Sequence, residues 1–273
     1  MSNTFFGLDF GTANSVLSVN QGGSVRVINT DRYNTEGKTL RSVLYFNEEK
    51  EIFAGQQAIN EYVDNDAEGR FMQSIKTFLP YKTFHSARIY GKMFHIEDLI
   101  AIILRKMKKA GEEYAGQSVD TVVMGGPVFF SENPEIDSLA ENRLRAAAKN
   151  SGFKNISFQY EPVAAALILE ETLSNREEQI VLVGDFGGGT SDFTIVKLRG
   201  GEKGKNNTRK DDILAINGVS IGGDAFDSAI MWEKIAKYFG KDVKIKTMTG
   251  QWLGISSMVT TNLLQWNLIP QLR

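Results

Sequence analysis

The stretch Val181-Leu-Val-Gly-Asp185-Phe-Gly187-Gly188-Gly189-Thr190-Ser191-Asp192-Phe-Thr-Ile-Val196 decides how this chain reads. An apolar run ends in an acid, three glycines and a hydroxyl follow, and a second apolar run resumes. β-branched and aromatic residues flanking a turn signal predict two adjacent strands joined by a tight glycine loop. Consecutive glycines leave backbone N–H groups uncovered and permit positive φ, so the main chain can curl around an anionic oxygen. Near the start, Phe5-Phe-Gly-Leu-Asp9-Phe10-Gly11-Thr12-Ala13-Asn14-Ser15-Val-Leu-Ser-Val19 repeats the plan. One such loop alone is also an ordinary hairpin; two copies sharing Asp-Phe-Gly after a strand point to two phosphate cradles. Facing turns with one carboxylate each suit a triphosphate and Mg²⁺, which keeps several waters and can be held through them.

The rest of the chain bounds the reading. Its 273 residues suffice for two lobes, one per repeat. Lys+Arg 31 against Asp+Glu 33 leaves a formal net charge of -2, with no basic excess for nucleic acid or an anionic membrane. Without cysteine, and with His85 and His95 alone, disulfides, thiolate chemistry and structural zinc are excluded. No basic segment followed by an apolar stretch opens the chain and no apolar run approaches a membrane span, so a cytoplasmic protein is expected.

In chain order, Ser15 to Val19 and Val25 to Asn29 predict strands about the Gln21-Gly22-Gly23 turn. Residues from about 41 to 117 change character and read as an inserted subdomain, with short strands at Val43 to Phe46 and Glu51 to Phe53, then a polar helical stretch through Tyr62 and Met72. Within it, Lys76 sits between apolar residues. Taken alone it is a surface lysine whose stem lies over packing; if the insertion folds over the cleft, its ammonium reaches a terminal phosphate or the attacking water. Apolar residues from Ile96 to Met107 recur at helical spacing in an amphipathic helix through Tyr114. Val119 to Gly126 predicts a strand, Asn133-Pro134-Glu135 a capped helix start, and Ile156 to Tyr160 another strand. Glu161-Pro162 then opens a strongly apolar helix to Leu169. This β-α-β-α order predicts helices covering a mixed sheet. Glu161 falls at the carboxyl end of a strand, where open α/β sheets place ligand groups, and is equally an acid favoured by a helix N-terminus. Beyond the second cradle, residues 199–212 read as a solvated polar loop, Ile213 to Ile216 as a strand, and Gly222-Gly223-Asp224 as a close backbone approach before a helix through Tyr238; the tail from Thr249 shows no closing strand.

These residues together resemble a known family. The two cradles, with Tyr160-Glu161-Pro162-Val-Ala-Ala-Ala166 and Ile221-Gly-Gly-Asp-Ala-Phe-Asp227, resemble the nucleotide-binding domain of the seventy-kilodalton heat-shock (DnaK-type) chaperones, within the actin-like ATPase superfamily. The resemblance implies an α/β, actin-like ATPase domain of duplicated ribonuclease H-like units, with mixed sheets flanked by helices. It implies lobes at 1–174 and 178–273, the second incomplete, so that the sequence reads as a truncated form. ATP/ADP and Mg²⁺ are the implied cofactors. Asp9 and Asp185 would hold the metal through water. Lys76, Glu161 and Thr190 would position the attacking water and terminal phosphate, Gly11, Thr12, Ala13 and Asn14 with Gly187, Gly188, Gly189 and Thr190 would grip the phosphates, and Gly222 and Gly223 would also contact the nucleotide. Unfolded peptide clients and co-chaperones would be partners of the full-length chain. Ala13 stands where the family has a second threonine, and Asp224 where it has glutamate. A stand-alone actin-like scaffold or filament protein, and a small-molecule kinase of the same superfamily, are the alternatives; the kinase needs a carboxylate base for its acceptor, and Glu161 is the candidate.

Overall fold

The computed structural model describes residues 4–174, 177–201, 209–219 and 221–254, and Leu264. The first repeat is a hairpin of β1 (Phe5–Phe10) and β2 (Asn14–Gln21), extended by β3 (Ser24–Val27) and, at the start of β2, by β4 (Thr39–Arg41). The insertion follows. It holds β5 (Leu44–Phe46), β6 (Ile52–Ala54), α1 (Gln56–Asp64), β7 (Arg70–Met72), a 3₁₀ turn at Ile75–Phe78, and the hairpin of β8 (Ser86–Ile89) and β9 (Lys92–His95). α2 (Ile96–Ala115), β10 (Thr121–Gly126), α3 (Pro134–Asn150), β11 (Asn155–Tyr160) and α4 (Glu161–Glu170) complete the first half. The second repeat is β12 (Glu178–Phe186), β13 (Ser191–Arg199) and β14 (Ile213–Val219), then α5 (Gly223–Ile230) and a small hairpin of β15 (Lys244–Lys246) and β16 (Trp252–Gly254).

The first sheet runs β11-β10-β1-β2-β3. Its β10 and β11 lie parallel to β1, and its hairpin strands lie antiparallel, giving the expected mixed sheet. The period-2 alternation of β1 buries Phe6, Leu8 and Phe10, which leaves Gly7 and Asp9 on the opposite face. Val122 and Met124 of β10 share the buried face. α2 and α3 cover it with Leu99, Ile100, Ile103, Leu104, Met107, Ala140, Leu144 and Ala147. A methyl group at Gly111 of α2 would lie 2.7 Å from Phe6 Cζ and 2.9 Å from Leu17 Cδ2, so the missing side chain sets how closely helix and sheet approach. Asn133 caps α3 as its sequence predicts, its side chain accepting from the Glu135 and Ile136 amides, with Pro134 in the first turn. α4 is apolar around most of its circumference, yet only Pro162, Val163 and Ala166 are buried, and Ile168 and Leu169 stay exposed. It lies against β10 and β11 of the first sheet and β12 and β13 of the second, where Ala166 packs with Val196 and Leu198.

Some expectations need correction. The polar stretch after Phe53 is not helical through Met72: α1 ends at Asp64, Asp66, Ala67 and Gly69 adopt positive φ, and Arg70–Met72 pairs with Leu44–Phe46 as a strand. The β8–β9 hairpin, turning at Tyr90 and Gly91 with positive φ, was not anticipated. Past α5 the helical path changes pitch, with a π segment at Met231–Ile235 and a 3₁₀ segment at Ala236–Phe239. The polar loop's residues 202–208 and all of the tail after Gly254 but Leu264 lie outside the described residues.

Candidate phosphate-binding cleft

The two hairpins are copies in register as well as in sequence. Asp9 pairs with Val16 and Phe10 with Ser15 in the first; Asp185 pairs with Asp192 and Phe186 with Ser191 in the second. Each therefore closes through a loop of the same length, Gly11–Asn14 and Gly187–Thr190, with its carboxylate one position before the last strand residue. The loops meet. A methyl group at Gly188 would lie 3.1 Å from Ala13 Cβ, and one at Gly189 would lie 3.8 Å from Thr12 Cγ2.

Between them opens a cleft of about 1240 Å³. That is ample for a nucleotide, since ligand pockets commonly enclose roughly 300–1,000 Å³. Its wall is the face of the first sheet opposite the core, so Gly7, Asp9, Val123, Gly125, Gln159 and Glu161 line it. The carboxyl ends of the parallel strands thus converge on one point, where Glu161 begins α4 and an acid is favoured by the helix N-terminus. Gly125 makes room for it: a Cβ there would sit 3.1 Å from Glu161 Cγ and 3.8 Å from Asp9 Cα.

Lys76 reaches this point from the insertion. Its Nζ lies 3.0 Å from Glu161 Oε1, with the two side chains only 13 % and 22 % exposed. The 3₁₀ turn carrying it is fixed by Arg143 of α3, whose Nη1 donates to the carbonyls of Leu79 at 2.9 Å and Tyr81 at 3.0 Å. On the other side of the turn, Thr77 Cγ2 comes within 3.4 Å of the position a Gly189 Cβ would take.

The electrostatics follow from this crowding. Asp9 opens into the cleft, yet the surrounding protein strips much of its bulk hydration. That desolvation, with repulsion from Glu161 and Asp185, pushes its pKa up to about 6 against the attraction of Lys76. Asp185 is raised for the same reasons: desolvation first, then the charges of Glu161 and Asp192, opposed again by Lys76. Three carboxylates therefore share a single ammonium, an arrangement that favours an added cation.

Asp9, Asp185, Lys76, Glu161, Thr190 and both glycine loops all line the cleft. Three details differ from the sequence reading. Gly11, Gly187, Gly188 and Gly189 do not use positive φ; the glycines with positive φ lie at other turns. Close approach is the constraint at two of them: a Cβ on Gly11 would fall 2.2 Å from the Asn14 carbonyl oxygen and one on Gly188 3.1 Å from Ala13 Cβ, whereas Gly187 and Gly189 have their nearest neighbour at 3.4 Å. Gly222 and Gly223 are not part of the lining. They pack on the second loop, with the Gly223 amide donating to Gly187 O at 3.0 Å and no room for a methyl on Gly222, 2.6 Å from that same oxygen. Thr190 spends its hydroxyl proton on Asp192 Oδ2 at 2.7 Å. Asp192 itself lines the cleft and was missed as a site residue, although its place opposite Asp185 follows from the hairpin register.

Paired glycine hairpins, each bringing a strand-end carboxylate to a shared cleft, on sheets flanked by helices, define an actin-like ATPase domain. The Hsp70 protein family profile matches residues 5–253 of the chain. The chain belongs to that family, whose members are nucleotide-binding chaperone ATPases, and it corresponds to their nucleotide-binding domain.

Proposed function

We propose that this chain binds ATP and ADP in the cleft and hydrolyses ATP, water attacking the terminal phosphorus as the bond to the ADP oxygen breaks. The observation that carries the reading is the convergence of Asp9, Asp185 and the Lys76–Glu161 pair between two copied glycine loops.

A hydrated Mg²⁺ fits the residues present. Asp9 and Asp185 repel each other and Glu161, with Lys76 as their shared cation. Among the described residues no three acidic or histidine side chains converge closely enough to ligate a metal directly, so Asp9 and Asp185 would hold the ion through its waters, as Mg²⁺ commonly permits. Bound there, it would neutralise charge on the phosphate oxygens. The protein's own part is placement and electrostatics, which supply most of the acceleration in phosphoryl transfer. The amides of Gly11–Asn14 and Gly188–Thr190 hold the phosphates, while the Gly187 amide closes its own loop on Thr190 O at 2.9 Å. Lys76 stabilises charge on the transferred group, and Glu161, oriented by its ion pair with Lys76, holds the attacking water. Thr190, with its proton on Asp192, keeps a lone pair facing the site. We assign the first lobe to 1–174 and the second to 178–273, and place the protein in the cytoplasm, with peptide clients and co-chaperones engaged through the full-length chain.

Replacing Asp185 by Asn removes one of the two charges that would hold the metal. Mg²⁺-dependent release of phosphate from ATP is expected to fall by about 100-fold or more, the scale of losing one preorganised electrostatic group. Turnover equal to that of the parent chain would overturn the assignment.

A further inference from the structure

Lys76 stands on a turn that belongs to the insertion, whereas the loop it faces belongs to the second repeat. The structure shows what joins them. Ser74, two residues before Lys76 and only 7 % exposed, donates its hydroxyl to Asp224 Oδ2 at 2.9 Å. Asp224 is in turn fixed to the second glycine loop through its own amide, which donates to Gly188 O at 2.8 Å, beside the Gly223 amide on Gly187 O. Ser74 adopts φ 54 and ψ 31, a left-handed conformation unfavourable for a residue with a Cβ and maintained where several contacts impose it. Those contacts are visible. The Ser74 carbonyl accepts from Thr77 Oγ1 at 2.7 Å and from the Thr77 amide at 3.1 Å, closing the turn over Lys76, while the Ser74 hydroxyl ties that turn to Asp224.

We propose that Asp224 is a positioning residue for ATP hydrolysis, tethering the Lys76 turn to the second phosphate loop through Ser74. The inference rests on the phosphate-site reading above. Asp224 lies outside the lining of the cleft, so its effect is on where Lys76 and Glu161 stand. It also accounts for Gly222 and Gly223, which let the chain dock on the loop closely enough for Asp224 to reach across. The shorter acid suits this partner, because the hydrogen bond to Ser74 is already made at ordinary length.

The test uses four variants and two readouts. Asp224→Asn keeps an oxygen acceptor for Ser74, Asp224→Ala removes it, Ser74→Gly removes the hydroxyl while relieving the left-handed backbone, and the fourth combines Asp224→Ala with Ser74→Gly. Single-turnover ATP hydrolysis is expected to fall about tenfold in Asp224→Ala and Ser74→Gly, the loss expected when one hydrogen bond to a charged group disappears. The double variant should fall no further than either single one, Asp224→Asn should stay within about twofold of the parent, and the dissociation constant for ATP should not move. Hydrogen exchange of residues 74–79 in the nucleotide-free protein should rise in Asp224→Ala and Ser74→Gly and stay at the parental rate in Asp224→Asn. Additive losses, an Asp224→Asn variant as slow as Asp224→Ala, or unchanged exchange would each overturn the tether. A parent chain that never turns over ATP would instead overturn the functional assignment, and the exchange measurement would still decide the tether.

Discussion

Replacing Arg143 by methionine should destabilise the protein by an amount that can be worked out from its contacts. The guanidinium is buried between α3 and the insertion, where Nη1 donates to Leu79 O at 2.9 Å and Tyr81 O at 3.0 Å, Nη2 contacts His85 Nδ1 at 3.2 Å, and Nε faces Glu97 at 3.7 Å. Methionine nearly fills the volume but donates nothing. Leu79 is fully buried, so its carbonyl is left unsatisfied at a cost of about 1–3 kcal/mol. Tyr81 is 56 % exposed and its carbonyl regains water, contributing little. Glu97, whose side chain is 23 % exposed, loses a partly screened ion pair worth roughly 0.5–1 kcal/mol. The sum is about 1.5–4 kcal/mol, a large part of a domain's usual stability of roughly 5–15 kcal/mol. With a urea slope of about 2–3 kcal/mol per molar, the unfolding midpoint should drop by roughly 0.5–2 M. Arg143→Lys, which keeps the charge but only some of the donors, should fall between. Equilibrium unfolding by circular dichroism measures both. A methionine variant within about 0.3 M of the parent would refute the reasoning, because it would mean that the turn bearing Lys76 does not depend on these donors.

Two further outcomes are expected. Gly11→Ala places a methyl 2.2 Å from the Asn14 carbonyl oxygen, whereas Gly187→Ala meets the Thr190 carbonyl oxygen at 3.4 Å. Calorimetric ATP affinity should therefore fall by about 10-fold or more in the first and by less than about threefold in the second, since overpacking typically costs about 1–3 kcal/mol and an ordinary contact costs little. Glu170 accepts from Arg209 Nη2 at 2.7 Å and from the Arg199 amide at 2.8 Å. Those bonds to Arg209 first, and the Arg199 amide next, hold its carboxyl below its ordinary value of 4.5. A depressed acid contributes stability that is present above its unfolded value and disappears as pH falls through the folded one. Glu170→Gln should thus lower the melting temperature at pH 7 and converge with the parent as the pH is taken below about 4.5; parallel curves would exclude the coupling.

The two hairpins were legible because their signals are local. Strands of six to nine residues alternate visibly, and an acid followed by glycine and a hydroxyl marks the turn between them. The helix from Ile96, with its stripe of Leu99, Ile100, Ile103 and Leu104, and the Asn133 cap were legible for the same reason. Arg70–Met72 was not, because three residues are too few to show a period, and what makes them a strand is pairing with Leu44–Phe46 far back in the chain. The site divides along the same line. Asp9, Asp185 and Glu161 could be found because each falls at the end of a strand, the first two one residue before it and Glu161 one residue after. The reach of Lys76 to Glu161, the grip of Arg143 on the Leu79 carbonyl and the Ser74–Asp224 bond depend on contacts between segments remote in sequence, which no local pattern records.

The glycine run of the second loop shows how a correct motif can be explained by the wrong cause. Flexible backbone and positive φ were the expected reason for three glycines in succession, yet Gly187, Gly188 and Gly189 all avoid the left-handed region. Their neighbours supply a different reason. Ala13 of the opposite loop closes on Gly188, Thr77 of the insertion closes on Gly189, and the Gly222–Asp224 segment hydrogen-bonds to the carbonyls of Gly187 and Gly188. Gly188 is thus the tightest of the three approaches: a methyl there would press on Ala13 of the first cradle at 3.1 Å, with Asp224 Oδ1 at 3.7 Å. At Gly189 a methyl would just touch Thr77, on the turn that carries Lys76, at 3.4 Å, so only a larger side chain would hold that turn away, and at Gly187 a methyl would meet only its own loop. The loop is bare where other segments reach it, and the site is assembled only when they do.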